Sequence, residues 1–70
     1  MEPALLEVLR DAVRTRQRKE DLDRSVGRAV RRRELDFQTY VEIMSELREI
    51  AKEDKVSIEA VAKRLLAEDE

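Results

Sequence analysis

Apolar residues fall into four groups along the chain, each recurring at three- and four-residue steps, the spacing of one helical face. The widest group is in the second half. Placed at 3.6 residues per turn, Phe37, Tyr40, Val41, Ile43, Met44, Leu47, Ile50 and Ala51 share one side, and Gln38, Glu42, Ser45, Glu46, Glu49, Lys52 and Glu53 share the other. An apolar arc of roughly 180° is wider than a two-stranded coiled-coil seam, so this face is expected to meet more than one neighbour. Asp36 precedes it as a helix N-cap, its carboxylate suited to accept from the first free N–H groups. Leu35 and Tyr40 stand at the two positions of a hydrophobic staple. A polar turn, Glu53-Asp54-Lys55, then leads to Val56 and to Ser57, the cap of a further helix whose face is Ile58, Val61, Ala62, Leu65 and Leu66. Val56 and Val61 make its staple. So short a turn sets the two helices side by side, and residues 36–66 read as a helical hairpin.

The first half is less decided. Pro3 suits a first helical position. Leu5, Leu6, Val8, Leu9, Ala12 and Val13 make one face, and Leu22, Val26, Ala29 and Val30 resume it. The stretch between them, residues 15–21, has no apolar side chain, yet it also lacks the Gly, Pro, Asn or Ser that usually marks a break. Residues 4–34 therefore read either as one long helix with an exposed middle or as two helices, the second capped by Asp21 or Asp23. Gly27 inside that segment costs up to about 1 kcal/mol relative to Ala. The expected fold is all-α: a single small domain over 1–70, a bundle of three to four helices with a C-terminal helical hairpin.

Size changes this picture. A chain of 70 residues buries only about 60% of its extended surface, and without cysteine it has no disulfide to compensate. Completion by dimerisation is therefore expected, giving a homodimer or higher homo-oligomer. Phe37, Tyr40, Val41, Met44, Leu47, Ile50 and Leu65 are the interface candidates. Phe37 and Tyr40, the two aromatic residues, read as core or interface anchors. Charged residues make up 46% of the chain, far above the roughly 25% of an ordinary domain, a thermophile-like composition suited to an ion-paired helical surface. The charge is uneven. Residues 1–34 hold ten basic and seven acidic side chains, a net of +3, and residues 35–70 hold five and ten, a net of −5. A basic front and an acidic back invite pairing between subunits, or an anionic partner. The run 5–13 is interrupted by Glu7, Arg10 and Asp11, unlike a signal peptide, and no apolar run approaches membrane-spanning length. A cytoplasmic chain is expected.

Little in the sequence suggests catalysis. Histidine is absent, which removes the commonest general base and metal ligand and excludes the E-x-x-H di-iron motif. Ser25, Ser45 and Ser57 have no imidazole to activate them, and no phosphate-binding glycine motif occurs. Glu42, Glu46, Glu49 and Glu53 recur at helical spacing; such carboxylates can hold metal ions, but along one helix they read first as a solvated face. No cofactor is expected. The sharper feature is basic. Arg24, Arg28, Arg31 and Arg32 lie on the outer side of the second segment, downstream of Arg14, Arg16, Arg18 and Lys19, as in a phosphate-binding helix. Asp21, Asp23 and Glu34 dilute that charge, and no aromatic residue is interleaved to stack on bases. An ion-paired surface is the reading expected first for these arginines.

One stretch bears on nucleic acid differently. Residues 47–66, Leu-Arg-Glu-Ile-Ala-Lys-Glu-Asp-Lys-Val-Ser-Ile-Glu-Ala-Val-Ala-Lys-Arg-Leu-Leu, look like the helix-turn-helix half of ribbon-helix-helix repressors. The resemblance covers less than half the chain. It departs from the family at Lys55, where the family's turn usually carries glycine, and at acidic Asp36. It implies that residues 35–41 form a strand paired with its mate in a dimer and inserted in the major groove, with Asp36, Gln38 and Tyr40 facing bases. Phe, Thr, Tyr and Val there are good strand formers, so helix and strand both stand as readings of 35–41. The function expected first is a non-catalytic helical protein–protein interaction module, regulatory or adaptor, acting as a homo-oligomer. A small DNA-binding regulator is the alternative, and an accessory enzyme subunit the third.

Overall fold

The computed structural model describes residues 1–69, and its described residues form four helices and no strand. They are α1 (Pro3–Thr15), α2 (Leu22–Arg32), α3 (Phe37–Asp54) and α4 (Ile58–Glu68). Residues 4–34 are thus two helices, not one. The break has no glycine, and charged groups hold it instead. Lys19 takes the left-handed conformation at φ 67°. The Glu20 carboxylate accepts from the Gln17 N–H at 3.0 Å and from the Arg28 guanidinium, while Arg16 Nε donates to the Glu20 carbonyl at 2.7 Å.

The turn between α2 and α3 is set by hydrogen bonds that close a helix end. Leu35 N–H donates to the Val30 carbonyl and Glu34 N–H to the Arg31 carbonyl, each at 3.0 Å. Glu34 is left-handed at φ 56°. This is the Schellman pattern, in which the residue after the left-handed one lies against the last turn of the helix. Asp36 then caps α3, its carboxylate accepting from Thr39 N–H at 3.2 Å. Helix begins at Phe37, so the strand implied for 35–41 is not formed. A carboxylate that satisfies the first free N–H groups of a long amphipathic helix outweighs the strand propensity of five residues.

Helix α3 also runs further than the polar turn suggested. Glu53 and Asp54 are helical, and the connection is 55–57. Lys55, at φ 56°, fills the left-handed position, and Val56 N–H closes onto the Ala51 carbonyl at 3.1 Å. Ser57 Oγ accepts from Ala60 N–H at 3.1 Å and starts α4.

The four faces meet in one core. Leu9 and Ala12 from α1, Leu22, Val26 and Ala29 from α2, Ile43, Met44 and Leu47 from α3, and Val61 and Ala62 from α4 are all 1% exposed or less. The wide arc of α3 does meet more than one neighbour, as its width requires, and those neighbours are α1, α2 and α4 of the same chain. Ser25 is the buried polar side chain; its Oγ donates to the Ala12 carbonyl at 2.5 Å, tying α2 to α1. The chain has a radius of gyration of 11.1 Å, and no helix among the described residues is long and apolar enough to cross a membrane.

Candidate interaction surface

Among the described residues four large hydrophobic side chains stay exposed: Val13, Leu35, Phe37 and Val56. Two of them, Leu35 at 42% and Phe37 at 72% exposure, line one cleft between α2 and the start of α3. Gly27 and Val30 supply its α2 wall, Tyr40 its α3 wall, and Asp23, Arg24 and Arg31 its polar rim. At about 420 Å³ it falls in the size range of ordinary binding clefts.

Local structure explains each part. The closing turn of α2 presents Leu35 beside Val30, as a Schellman end commonly does. Capping by Asp36 fixes Phe37 as the first residue of α3, too early for its ring to reach the core. Gly27, without a side chain, leaves space beside the Tyr40 ring: a Cβ built there would lie 3.9 Å from Tyr40 Cδ2 and Cε2. The Tyr40 and Phe37 rings are 5.2 Å apart and tilted by 31°, a favourable aromatic distance. The Tyr40 hydroxyl donates to Asp23 Oδ1, and Arg48 Nη2 donates to Asp23 Oδ2 at 2.8 Å. The Asp23 carboxylate at the phenol raises the Tyr40 pKa above its ordinary 10.0, with desolvation adding to the shift. The Tyr40 wall is therefore anchored, and the Phe37 ring beside it is not.

The arginines divide in two. Arg28 is turned inward along the surface, bound to Glu20 and donating to the Thr15 carbonyl at 3.0 Å. Arg32 and Arg33 share Asp11 Oδ2, at 2.8 and 3.2 Å. These contacts hold the Glu20 carboxyl below its ordinary range, chiefly through the Arg28 hydrogen bond, and the Asp11 carboxyl likewise, chiefly through Arg32. Arg28 and Arg32 thus serve the α1–α2 connection. The side chains of Arg24 and Arg31 make no hydrogen bond or ion pair with any described residue, Arg24 lying only within electrostatic reach of Glu20, and both stand at the cleft.

The interface candidates also divide. Met44 and Leu47, at 1% and 0% exposure, lie inside the chain's own core. They have no surface left for a second chain unless the bundle opens. Tyr40, Val41, Ile50 and Leu65 are half-buried at its edge, and Phe37 is the exposed one. The sequence reading missed the cleft itself. It found no aromatic among the arginines because Phe37 is six residues beyond Arg31 in sequence; the left-handed turn at Glu34 brings the two together. Glu42, Glu46, Glu49 and Glu53 lie along α3, and among the described residues no three His, Cys, Asp or Glu side chains are grouped to hold a metal ion. Comparison of the chain with protein-family models, curated proteins and solved structures gives no match.

Proposed function

We propose that this chain is a non-catalytic helical interaction module, regulatory or adaptor in role, acting in the cytoplasm as a homo-oligomer. One observation carries the reading: an uncovered apolar edge, Leu35 and Phe37, set in a cleft beside two arginines whose side chains form no hydrogen bond or ion pair among the described residues. Exposed apolar side chains scattered singly need no explanation, but a contiguous patch rimmed by polar groups marks an interaction surface. The chemistry available at the cleft supports binding over catalysis. Its one carboxylate, Asp23, is already engaged by Tyr40 and Arg48, and its tyrosine is held protonated.

The test is the solution mass of the full chain over a wide concentration range, together with its melting temperature. A folded oligomer gains stability with concentration by mass action. The expected result is a mass above that of one chain and a melting temperature that rises with concentration. A monomeric mass at all concentrations with a constant melt would overturn the homo-oligomeric part of the reading. DNA binding is the alternative, and the arginines now weigh on it specifically. Arg28 and Arg32 would have to abandon Glu20 and Asp11 to neutralise phosphates, leaving Arg24 and Arg31. A titration with duplex DNA at low and physiological salt decides the matter: no binding is expected at physiological salt, and tight binding with a steep salt dependence would favour the nucleic-acid reading.

A further inference from the structure

We infer that the occupant of the α2–α3 cleft is a second copy of this chain, related by a two-fold axis. This rests on the proposal that the chain works as a homo-oligomer and adds to it the surface and the pairing. In this arrangement Leu35 and Phe37 of each protomer enter the cleft of the other, and Glu34 and Asp36, which flank them, meet the Arg24 and Arg31 rim.

Charge and shape complement each other on a single patch. The segment 34–37 alternates acidic, apolar, acidic, apolar. It forms the corner between α2 and α3, shaped by the left-handed Glu34 and the capping Asp36. Glu34 makes no ion pair with any described residue, like Arg24 and Arg31. The patch therefore carries an apolar ridge with acidic flanks, Leu35 and Phe37, as one wall of an apolar cleft whose α2 side has basic flanks. A two-fold contact joins the same patch to itself in reverse order, so every ridge meets a cleft and every acid a base. Other occupants fit less well. A wholly acidic peptide or a nucleic acid drawn to the arginines would also meet Glu34 and Asp36, while Asp23, common to every occupant, is already paired with Tyr40 and Arg48. A basic partner would meet Arg24 and Arg31. A two-fold copy meets neither conflict, and it covers the exposed Phe37 that the chain leaves in water.

The experiment is charge-swap complementation with the full chain, read by sedimentation equilibrium. Arg31→Glu places acid against Glu34 in both contacts of a dimer. Glu34→Arg places base against Arg31 in both. Each variant alone is expected to associate at least tenfold more weakly than the wild type, because like charges are brought together twice. Mixed in equal amounts, the two form a heterodimer in which one contact is wild-type and the other is reversed but still complementary, so wild-type association returns. Phe37→Ala, on an exposed first-turn residue, is expected to weaken association by a similar factor that no charge variant rescues. Circular dichroism and dilute-solution melts of each variant ensure that a loss of association is not a loss of fold. A wild-type dimer that the swaps leave unchanged, or that mixing fails to restore, overturns this surface while leaving the homo-oligomer standing. A wild-type monomer at all concentrations overturns both. Retention of the wild-type chain by DNA or by an acidic peptide, lost in Arg31→Glu alone, assigns the cleft to that ligand instead.

Discussion

Leu47→Ala separates core from interface at the one residue where the two readings differ most. Leu47 is fully buried within a single chain. The substitution removes three carbons, worth about 2.4 kcal/mol at about 0.8 kcal/mol per buried CH₂. The cavity it leaves, closed only in part by its neighbours, brings the expected loss to about 2–5 kcal/mol. A chain of 70 residues has in all roughly 3.5–10 kcal/mol to lose. For a domain of this size about 3 kcal/mol lowers the melting temperature by about 12–24 °C. Urea and thermal melts followed by circular dichroism, each run at two concentrations a hundredfold apart, measure it. A core residue predicts the same deficit at both concentrations, even where the wild type itself melts higher when concentrated. An interface residue predicts a deficit that shrinks on dilution, as the wild type too becomes monomeric. A loss below about 1 kcal/mol, or one that disappears on dilution, would refute the placement of Leu47 in the core of one chain.

Three further outcomes are expected. Gly27→Ala should raise stability by about 0.5–1 kcal/mol, since the helix gains and the new methyl meets Tyr40 only at ordinary contact distance; a lower melting temperature would show that the cleft wall does not accept it. Ser25→Ala should cost about 1 kcal/mol for the lost hydrogen bond to the Ala12 carbonyl, and Ser25→Val about 1–3 kcal/mol by overpacking the same contact, so hydrophobicity alone does not rescue the site; chemical denaturation of both variants checks this. Asp11 and Glu20 have pKa values held below their ordinary 3.8 and 4.5, so the stability they contribute is present above those values and is lost as pH falls through the folded ones. The melting temperature should therefore decline from about pH 4.5 downward, and Asp11→Asn should flatten part of that decline. A variant with an acid limb as steep as the wild type's would remove Asp11 from the account.

What was legible in the sequence was what short-range chemistry decides. Asp36 and Ser57 both cap as read, accepting from the N–H three residues on. The apolar faces of all four segments point into the core except at Val13 and Phe37, which stay exposed. What was not legible turns on three left-handed residues, Lys19, Glu34 and Lys55, none of them glycine. Rules for breaks look for glycine because the left-handed conformation is strained for other residues. Here side-chain anchors at Glu20 and closing hydrogen bonds at Leu35 and Val56 hold it without one. Hence the gap at 15–21 stayed open between helix and turn, and the end of α3 was placed too early. The destination of the α3 arc was equally out of reach, because periodicity gives the width of a face and says nothing of whether the same chain or a second one covers it.

The uneven charge of the two halves has a similar lesson. Read along the chain, a basic front and an acidic back suggest an external partner. In the fold they meet each other in part: Arg10 reaches Asp69 at 2.9 Å and Arg16 reaches Glu59 at 3.8 Å, while Arg48 of the back reaches Asp23 of the front at 2.8 Å. These pairs are exposed, and exposed pairs contribute from nothing to about 1 kcal/mol each, so they bias which helices lie together without holding the bundle up. Their effect on function is subtractive. Arginines that find a carboxylate within the chain must give it up to meet anything outside, and among the nucleic-acid candidates Arg28 and Arg32 carry that cost. Arg24 and Arg31 carry no such cost, and they stand beside the cleft where two of the exposed apolar side chains, Leu35 and Phe37, lie together. Unpaired charge and unburied hydrophobicity arise from separate accidents of spacing, the first from the reach of carboxylates, the second from a helix that starts at Phe37. Their coincidence on one cleft, with Glu34 beside them as the complementary charge, is the reason to look for a partner there and for that partner to be the chain itself.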